Sequence, residues 1–260
     1  RSINFEAWHY LDEDGRSPMH WVKSLPKFLT EFVTGRKSDV VFAITPKEER
    51  QYQKFFAPRT VTLPLRALAN KLGTHAPRQT DQLRVFFAGS TYNVTHNKRA
   101  LEMIVKDIAP LSKKQFGNQF LFYITGAKFP DDLRQYVTDN VRYEGFVKNM
   151  DEFLKDMDIA LVPSLFGAGM QQKIFEPLAR GFPTITHARG LAGYPFVPGR
   201  DIITAETTEE FVAALGFFRS FDGRKRLSEN AKKLSQDLFN REQMDGIVRD
   251  ALAHLITLSL

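Results

Sequence analysis

The stretch from Asp158 to Gly190, DIALVPSLFGAGMQQKIFEPLARGFPTITHARG, constrains the fold more than any other. Its first part, Asp158 to Pro163, is a short apolar run bounded by Pro163 and Ser164, the pattern of a buried strand. Phe166 to Met170 contains Gly167 and Gly169, and residues without a Cβ let a turn bring its backbone close to a ligand. A helix is predicted from about Met170 to Arg180, stopped by Gly181 with Pro183 just beyond, and Phe182 to His187 forms the next strand. Helical spacing turns Ile174, Phe175 and Leu178 toward a sheet, while Lys173, Glu176 and Arg180 share the opposite face.

That placement has chemical consequences. Free N–H groups at the helix start and the positive end of its dipole favour an anion such as a phosphate, and Lys173 adds a full charge. Glu176, one turn deeper, is positioned to accept hydrogen bonds from paired hydroxyls, as a carboxylate does from ribose in dinucleotide folds. The expected ligand is a nucleotide or a sugar nucleotide. The competing reading is a solvated Lys and Glu on an ordinary surface helix.

The same alternation extends through most of the chain. Strands are expected at Leu83–Ala88, Gln119–Thr125, Val141–Val147 and Asp201–Thr204, besides the two flanking the central helix. Between them lie helical segments at Asn97–Ile108, Asp131–Val137 and Asp151–Met157, and a helix Glu209–Phe218 capped by Thr208 follows. Two more helices, about Arg224–Leu238 and Arg241–Leu258, finish the chain. Strands alternating with helices predict a doubly wound, Rossmann-like parallel α/β sheet, whose ligands sit beyond the C-terminal strand ends. Upstream, Met19 to Phe32 carries an apolar helical stripe interrupted by Pro26, Asp39–Thr45 reads as a strand, and Pro46 opens a helix to about Phe56. Residues 1–18 show no period, and Asp12 and Asp14 there are read as solvated acids, with no metal site assigned.

The formal charge of +6 suits anionic ligands without choosing among them. No run combines basic residues with stacking aromatics, so nucleic acid is a poor fit, and the basic segment Arg224–Lys233 is read as a solvated helix face. The absence of cysteine removes disulfides and thiolate chemistry and suits a reducing, cytoplasmic setting. No apolar run approaches the roughly 20 residues that span a bilayer.

Gly167 to Gly181, GAGMQQKIFEPLARG, followed by FPTITHARGLAG, resembles the donor-site signature of retaining glycosyltransferases of family 4, also called group 1, which have the GT-B fold. The resemblance runs from about Asp39 to the C-terminus. It implies transfer of a sugar from a nucleotide-diphosphate-sugar co-substrate, with retention, no cofactor and no catalytic metal. Lys173 would contact the donor diphosphate and Glu176 the ribose hydroxyls, beside a loop of Gly167, Ala168, Gly169 and Met170. The loop Gly89 to Lys98 would face the phosphates, with Ser90 and Thr91 near the family's usual Arg and Lys98 serving as its Lys. Phe146 and Val147 would hold the base at a strand end, and His187 would meet the sugar or serve structurally. Many members carry a further glutamate where this chain has Ala168.

The resemblance also divides the chain. Residues 1–63 would be the end of an N-terminal, acceptor-side domain with its linker, 64–238 the donor-binding domain, and 239–260 a helix crossing back to the first domain. Two further readings stay open: a nucleotide-sugar-binding module without transfer, and a sugar-nucleotide epimerase of the same fold. If only a remnant of the first domain is present, this chain binds donor but transfers no sugar unaided. An apolar surface near Met19–Phe32 would then lie exposed and favour association. Acceptor and linkage are not specified by the sequence; a sugar or lipid-linked acceptor and peripheral membrane contact both fit.

Overall fold

The computed structural model describes residues 10–11, 17–55, 59–166 and 169–258, the last five by backbone only. The expectations for Asp12 and Asp14 lie outside the described residues. Helix α1, Pro18–Lys37, leads to strand β1, Val41–Ala43, helix α2, Pro46–Phe55, and strand β2, Thr60–Thr62. Strands β1 and β2 pair in parallel, with Phe42 opposite Val61. Pro26 does not end α1, which continues eleven residues past it on the side away from the core. The apolar stripe of α1 is solvent-facing in large part, with Met19 65% and Val22 71% exposed.

A six-stranded parallel sheet holds the rest. Its strands are β3 (Leu83–Thr91), β4 (Phe120–Ala127), β5 (Val141–Gly145), β6 (Ile159–Val162), β7 (Thr184–Thr186) and β8 (Ile203–Thr204). The spatial order is β5-β4-β3-β6-β7-β8. The chain therefore builds outward from β3 in one direction, returns, and builds outward in the other. This doubly wound order opens a crevice where the direction reverses, between the C-terminal ends of β3 and β6.

Both faces of the sheet are covered, which is why its strands read as near-continuous apolar runs. Val85, Phe87, Phe120, Phe122 and Ile124 enter the larger core. Their alternating neighbours Phe86, Leu121 and Tyr123 pack on the other face with Leu154, Met157 and Phe182. Burying each such aromatic or aliphatic side chain contributes about 1.5–3 kcal/mol.

Polar anchors fix the order of the strands. Asp158, just before β6, is 2% exposed and accepts bonds from Arg78 Nε at 2.7 Å and the Arg84 N–H at 2.8 Å. Its own N–H donates to the Arg84 carbonyl at 2.8 Å. The end of β6 entering the sheet is thus clamped to the start of β3.

Three local expectations need correction. The helix predicted to stop at Ile108 passes from α3 (Thr95–Glu102) through a π turn (Met103–Ile108) into α4 (Ala109–Phe116). The Ala109 N–H bonds to the Ile104 carbonyl, five residues back, and Pro110, with no N–H to satisfy, falls in the first turn of α4. After α5 (Met150–Leu154) and α6 (Gln172–Arg180), helix α7 (Thr208–Phe217) is capped by Thr207 rather than Thr208. The reason is Glu210, three residues after Thr207, which closes a capping box. Helix α8, Phe221–Phe239, does not present its basic segment wholly to solvent. Arg224 is 1% exposed, its guanidinium donating to the carbonyls of Phe218, Arg219 and Arg78.

Helix α9, Arg241–Leu258, lies against the residues on either side of β2: Arg59 Nη2, just before it, donates to the Ala251 carbonyl at 3.0 Å, and Arg66, just after it, pairs with Asp245 at 2.6 Å. No helix among the described residues is long and apolar enough to cross a membrane. Asp158→Ala removes the clamp between β3 and β6 and leaves the Arg84 N–H unpaired. Denaturant unfolding is expected to show a loss of about 1.5–3 kcal/mol; an unchanged midpoint would mean that the strand order is set without it.

Candidate functional site

The crevice at the reversal point is a cleft of about 470 Å³. Strand β3 supplies Ala88, Gly89 and Ser90; α3 supplies His96 and Asn97; β4 supplies Thr125 and Gly126. Phe146, Val147 and Met150 form one wall, and Gln171, Gln172, Lys173 and Glu176 of the α6 start form the other.

Two glycines make the floor narrow enough. A Cβ on Gly126, whose φ is +136°, would stand 2.6 Å from the Gly89 carbonyl oxygen. A Cβ on Gly89 would meet the Tyr92 hydroxyl at 2.6 Å. Tyr92 spends that hydroxyl on the Thr125 carbonyl at 2.7 Å, and Tyr143 donates to the Gly126 carbonyl at 2.7 Å. Burial holds the Tyr92 phenol well above its ordinary pKa, so it stays a donor. The ends of β3 and β4 are therefore rigid where they face the cleft.

Helix α6 begins at the cleft without a side-chain cap. Gln171, at the N-cap position, instead donates Nε2 to Ser164 Oγ at 2.8 Å. The far end closes on Gly181, with φ +95°, and the Phe182 N–H returns to the Pro177 carbonyl at 2.9 Å.

Lys173 is partly buried in the cleft wall, its Nζ 2.8 Å from Asn97 Oδ1 and 5.7 Å from the Phe87 ring centroid. Lys173 makes no salt bridge with an acid among the described residues. Burial pulls its pKa down from the ordinary lysine value to about 8.

Glu176 is not the partner of Lys173. Its Oε1 accepts from Arg180 Nη2 at 2.7 Å and Nε at 3.0 Å, and its Oε2 accepts from Gln172 at 2.9 Å. Arg180 is 4% exposed rather than part of a solvated helix face. It also contacts Asp151, which Lys71 holds at 2.9 Å, and this pair of cations takes the Asp151 carboxyl down to about 2. The chain Lys71, Asp151, Arg180, Glu176 keeps the Glu176 carboxylate at the cleft edge with its charge already matched from behind.

Of the residues singled out from sequence, Gly89, Ser90, Phe146, Val147, Lys173 and Glu176 line this one cleft. Thr91 does not line it, but its carbonyl accepts from Asn97 Nδ2 at 3.0 Å. Lys98 is not at the cleft; its neighbours His96 and Asn97 take that place. Gly167 and Ala168 lie outside the described residues. Gly169, with φ +73°, precedes Met170, which turns into the core, its sulfur accepting from the Tyr194 hydroxyl at 3.6 Å. His187 is 4% exposed, and its Nδ1 accepts the Ser164 N–H at 3.0 Å. Desolvation lowers its pKa against the opposing pull of Glu206, so the ring is a neutral brace between the ends of β6 and β7. His96 and Asn97 were not singled out, although Asn97 shares the helical stripe of Leu101, Ile104 and Ile108 and so was due for burial.

A family model described as glycosyl transferases group 1 matches residues 82–218, more than half of the chain. The chain belongs to the group 1 glycosyltransferases. No curated protein matches it at a significant level. Solved structures do. Sucrose-phosphate synthase from Thermosynechococcus elongatus superposes with a TM-score of 0.70 at 16% identity, covering 99% of this chain and 67% of that one. A TarM variant from S. aureus, solved with Fondaparinux, α-GlcNAc-glycerol and UDP, gives 0.70 at 14%, over 94% and 48%. HepE from Anabaena, solved with UDP and glucose, gives 0.67 at 12%, over 92% and 69%. Likeness at these identities establishes the fold, which is GT-B. The chain spans about half the length of TarM and about two thirds of the other two.

The depressed Lys173 pKa predicts a specific pH dependence of stability. Between about 8 in the folded state and the ordinary lysine value in the unfolded state, the unfolded chain binds more protons, so unfolding free energy rises with pH. Compared with Lys173→Met, the unliganded group 1 transferase is expected to gain stability from about pH 8 towards about pH 10 and to hold a constant offset below that range. Parallel stability profiles for the two proteins would place Lys173 in water.

Proposed function

We propose that this chain holds the nucleotide-sugar donor of a glycosyltransferase, with the donor diphosphate in the cleft between β3 and β6. The observation that carries the reading is Lys173: an ammonium at the first turn of an uncapped helix, bonded to an amide and to no acid among the described residues. A diphosphate supplies the missing negative charge. The helix dipole acts in the same direction, and both interactions grow as the phosphate becomes the leaving group. The cleft position supports the same reading, because ligands of doubly wound sheets sit at the reversal of strand order.

Glu176 is the proposed ribose acceptor. Arg180 holds its Oε1 from behind, while the Oε2 partner, Gln172, is an exposed side chain that a ribose hydroxyl can replace. Phe146, 73% exposed at the cleft mouth, offers an aromatic face to the base. The solved relatives support UDP as the nucleotide to test first, since TarM and HepE were each solved with it. Retention of configuration and a reaction without a catalytic metal are part of this proposal, supported by the family likeness only, and the acceptor is left to a surface that these residues do not define.

Titration calorimetry with UDP is expected to detect binding that Lys173→Ala weakens by about ten- to hundredfold, the equivalent of about 1.5–3 kcal/mol. Unchanged affinity would move the phosphate site away from Lys173. For Glu176→Gln the expected loss is larger for UDP than for its 2′-deoxy analogue, which lacks one of the hydroxyls to be read. Equal losses would make the carboxylate a partner of Arg180 only.

A further inference from the structure

We infer that Asn97 is a positioning residue for donor binding: clamped to the end of β3, it holds the Lys173 ammonium at the cleft wall by a neutral contact and leaves its charge for the phosphates. This rests on the nucleotide-donor reading and deepens it.

The orientation of the Asn97 amide is fixed by what surrounds it. Nδ2 lies 3.0 Å from the Thr91 carbonyl, which can only accept, and 3.3 Å from Ser90 Oγ. Oδ1 lies 2.8 Å from Lys173 Nζ, which can only donate. The flipped amide would set donor against donor and acceptor against acceptor. Asn97 is 4% exposed, so water does not relieve either mismatch. Thr91 is held in turn by the β3–β4 pairing opposite Ala127. A rigid strand end therefore sets the position of a lysine on a different element, 76 residues later in the chain.

Neutrality is the second part of the inference. A carboxylate in the place of Asn97 would hold the ammonium as firmly, but it would compete with a phosphate for the same charge. An apolar residue would leave Lys173 without its partner and the Thr91 carbonyl without its donor. The other titratable groups facing the cleft are His96 on α3 and Glu176 on α6, the latter engaged by Arg180, which Asp151 and Lys71 hold in turn. Neither is a salt-bridge partner of Lys173 among the described residues, so the Asn97 amide is the hydrogen-bonding group that meets its ammonium there.

Two variants separate positioning from a merely structural role, because they act on Lys173 in opposite directions. Lysine side-chain carbon NMR on the unliganded protein is expected to show Lys173 titrating higher in Asn97→Asp and lower in Asn97→Ala than in the unsubstituted chain. Calorimetry with UDP between pH 6.5 and 9.5 is expected to show affinity at neutral pH reduced about tenfold or more in both variants, equivalent to loss of one charge-assisted contact. In Asn97→Asp the alkaline fall in affinity moves to higher pH; in Asn97→Ala it moves to lower pH. If both variants only lower the melting temperature while the Lys173 titration stays in place, the inference is overturned. If UDP binds none of the three proteins, the donor reading fails, and the NMR titration alone then decides whether Asn97 sets the state of Lys173.

Discussion

The clamp between Asp158 and the start of β3 is the contact on which the rest of the molecule depends. One buried carboxylate takes Arg78 and the Arg84 N–H, and so seats β6 beside β3 instead of beside the strand that precedes it in sequence. With β6 in that place, the loops after β3 and β6 diverge to opposite sides, and the crevice between them follows from the topology. Helix α6 starts in the crevice because it is the element that follows β6. Its uncapped N-terminus then faces the cleft by connectivity, with Lys173 bonded to Asn97 in the cleft wall.

What lies in the crevice is an electrostatic arrangement that costs stability. A lysine drawn down to about pKa 8 by burial is a destabilising group in the empty protein at neutral pH. The structure tolerates it by giving Nζ one neutral partner and an aromatic face, and by matching the neighbouring acid elsewhere. Glu176 is paired with Arg180, and Arg180 with Asp151, so the negative charge nearest Lys173 is already committed. A site with this imbalance is expected to favour a ligand carrying more than one negative charge.

Most of the sheet was legible in the sequence because parallel strands buried on both faces show as uninterrupted apolar runs. Val85 to Phe87 and Phe120 to Ile124 are of this kind, and Gly181 and Pro183 punctuate the central helix. Features set by tertiary contacts were not legible. Pro110 ends a helix by local rules, yet the π turn before it lets the helix continue. Arg180 and Arg224 have the sequence appearance of surface charges, but carbonyls and acids from distant segments take them into the interior. Lys98 was expected as a second cation beside the phosphates, in addition to Lys173; the helix begins at Thr95, which turns His96 and Asn97 to the cleft instead. The stripe of Asn97, Leu101, Ile104 and Ile108 was the available signal, a polar residue at a position that periodicity assigns to the interior.

The central claim is that a nucleoside diphosphate occupies the crevice where the strand order reverses, with its phosphates against Lys173. A crystal structure of the chain with UDP tests it most directly. The account predicts density for the diphosphate within hydrogen-bond distance of Lys173 Nζ and the first turn of α6, with the ribose beside Glu176. Density in the neighbouring cavity of about 360 Å³ lined by Lys71, His75, Asp151 and Arg180, with the crevice empty, would contradict it.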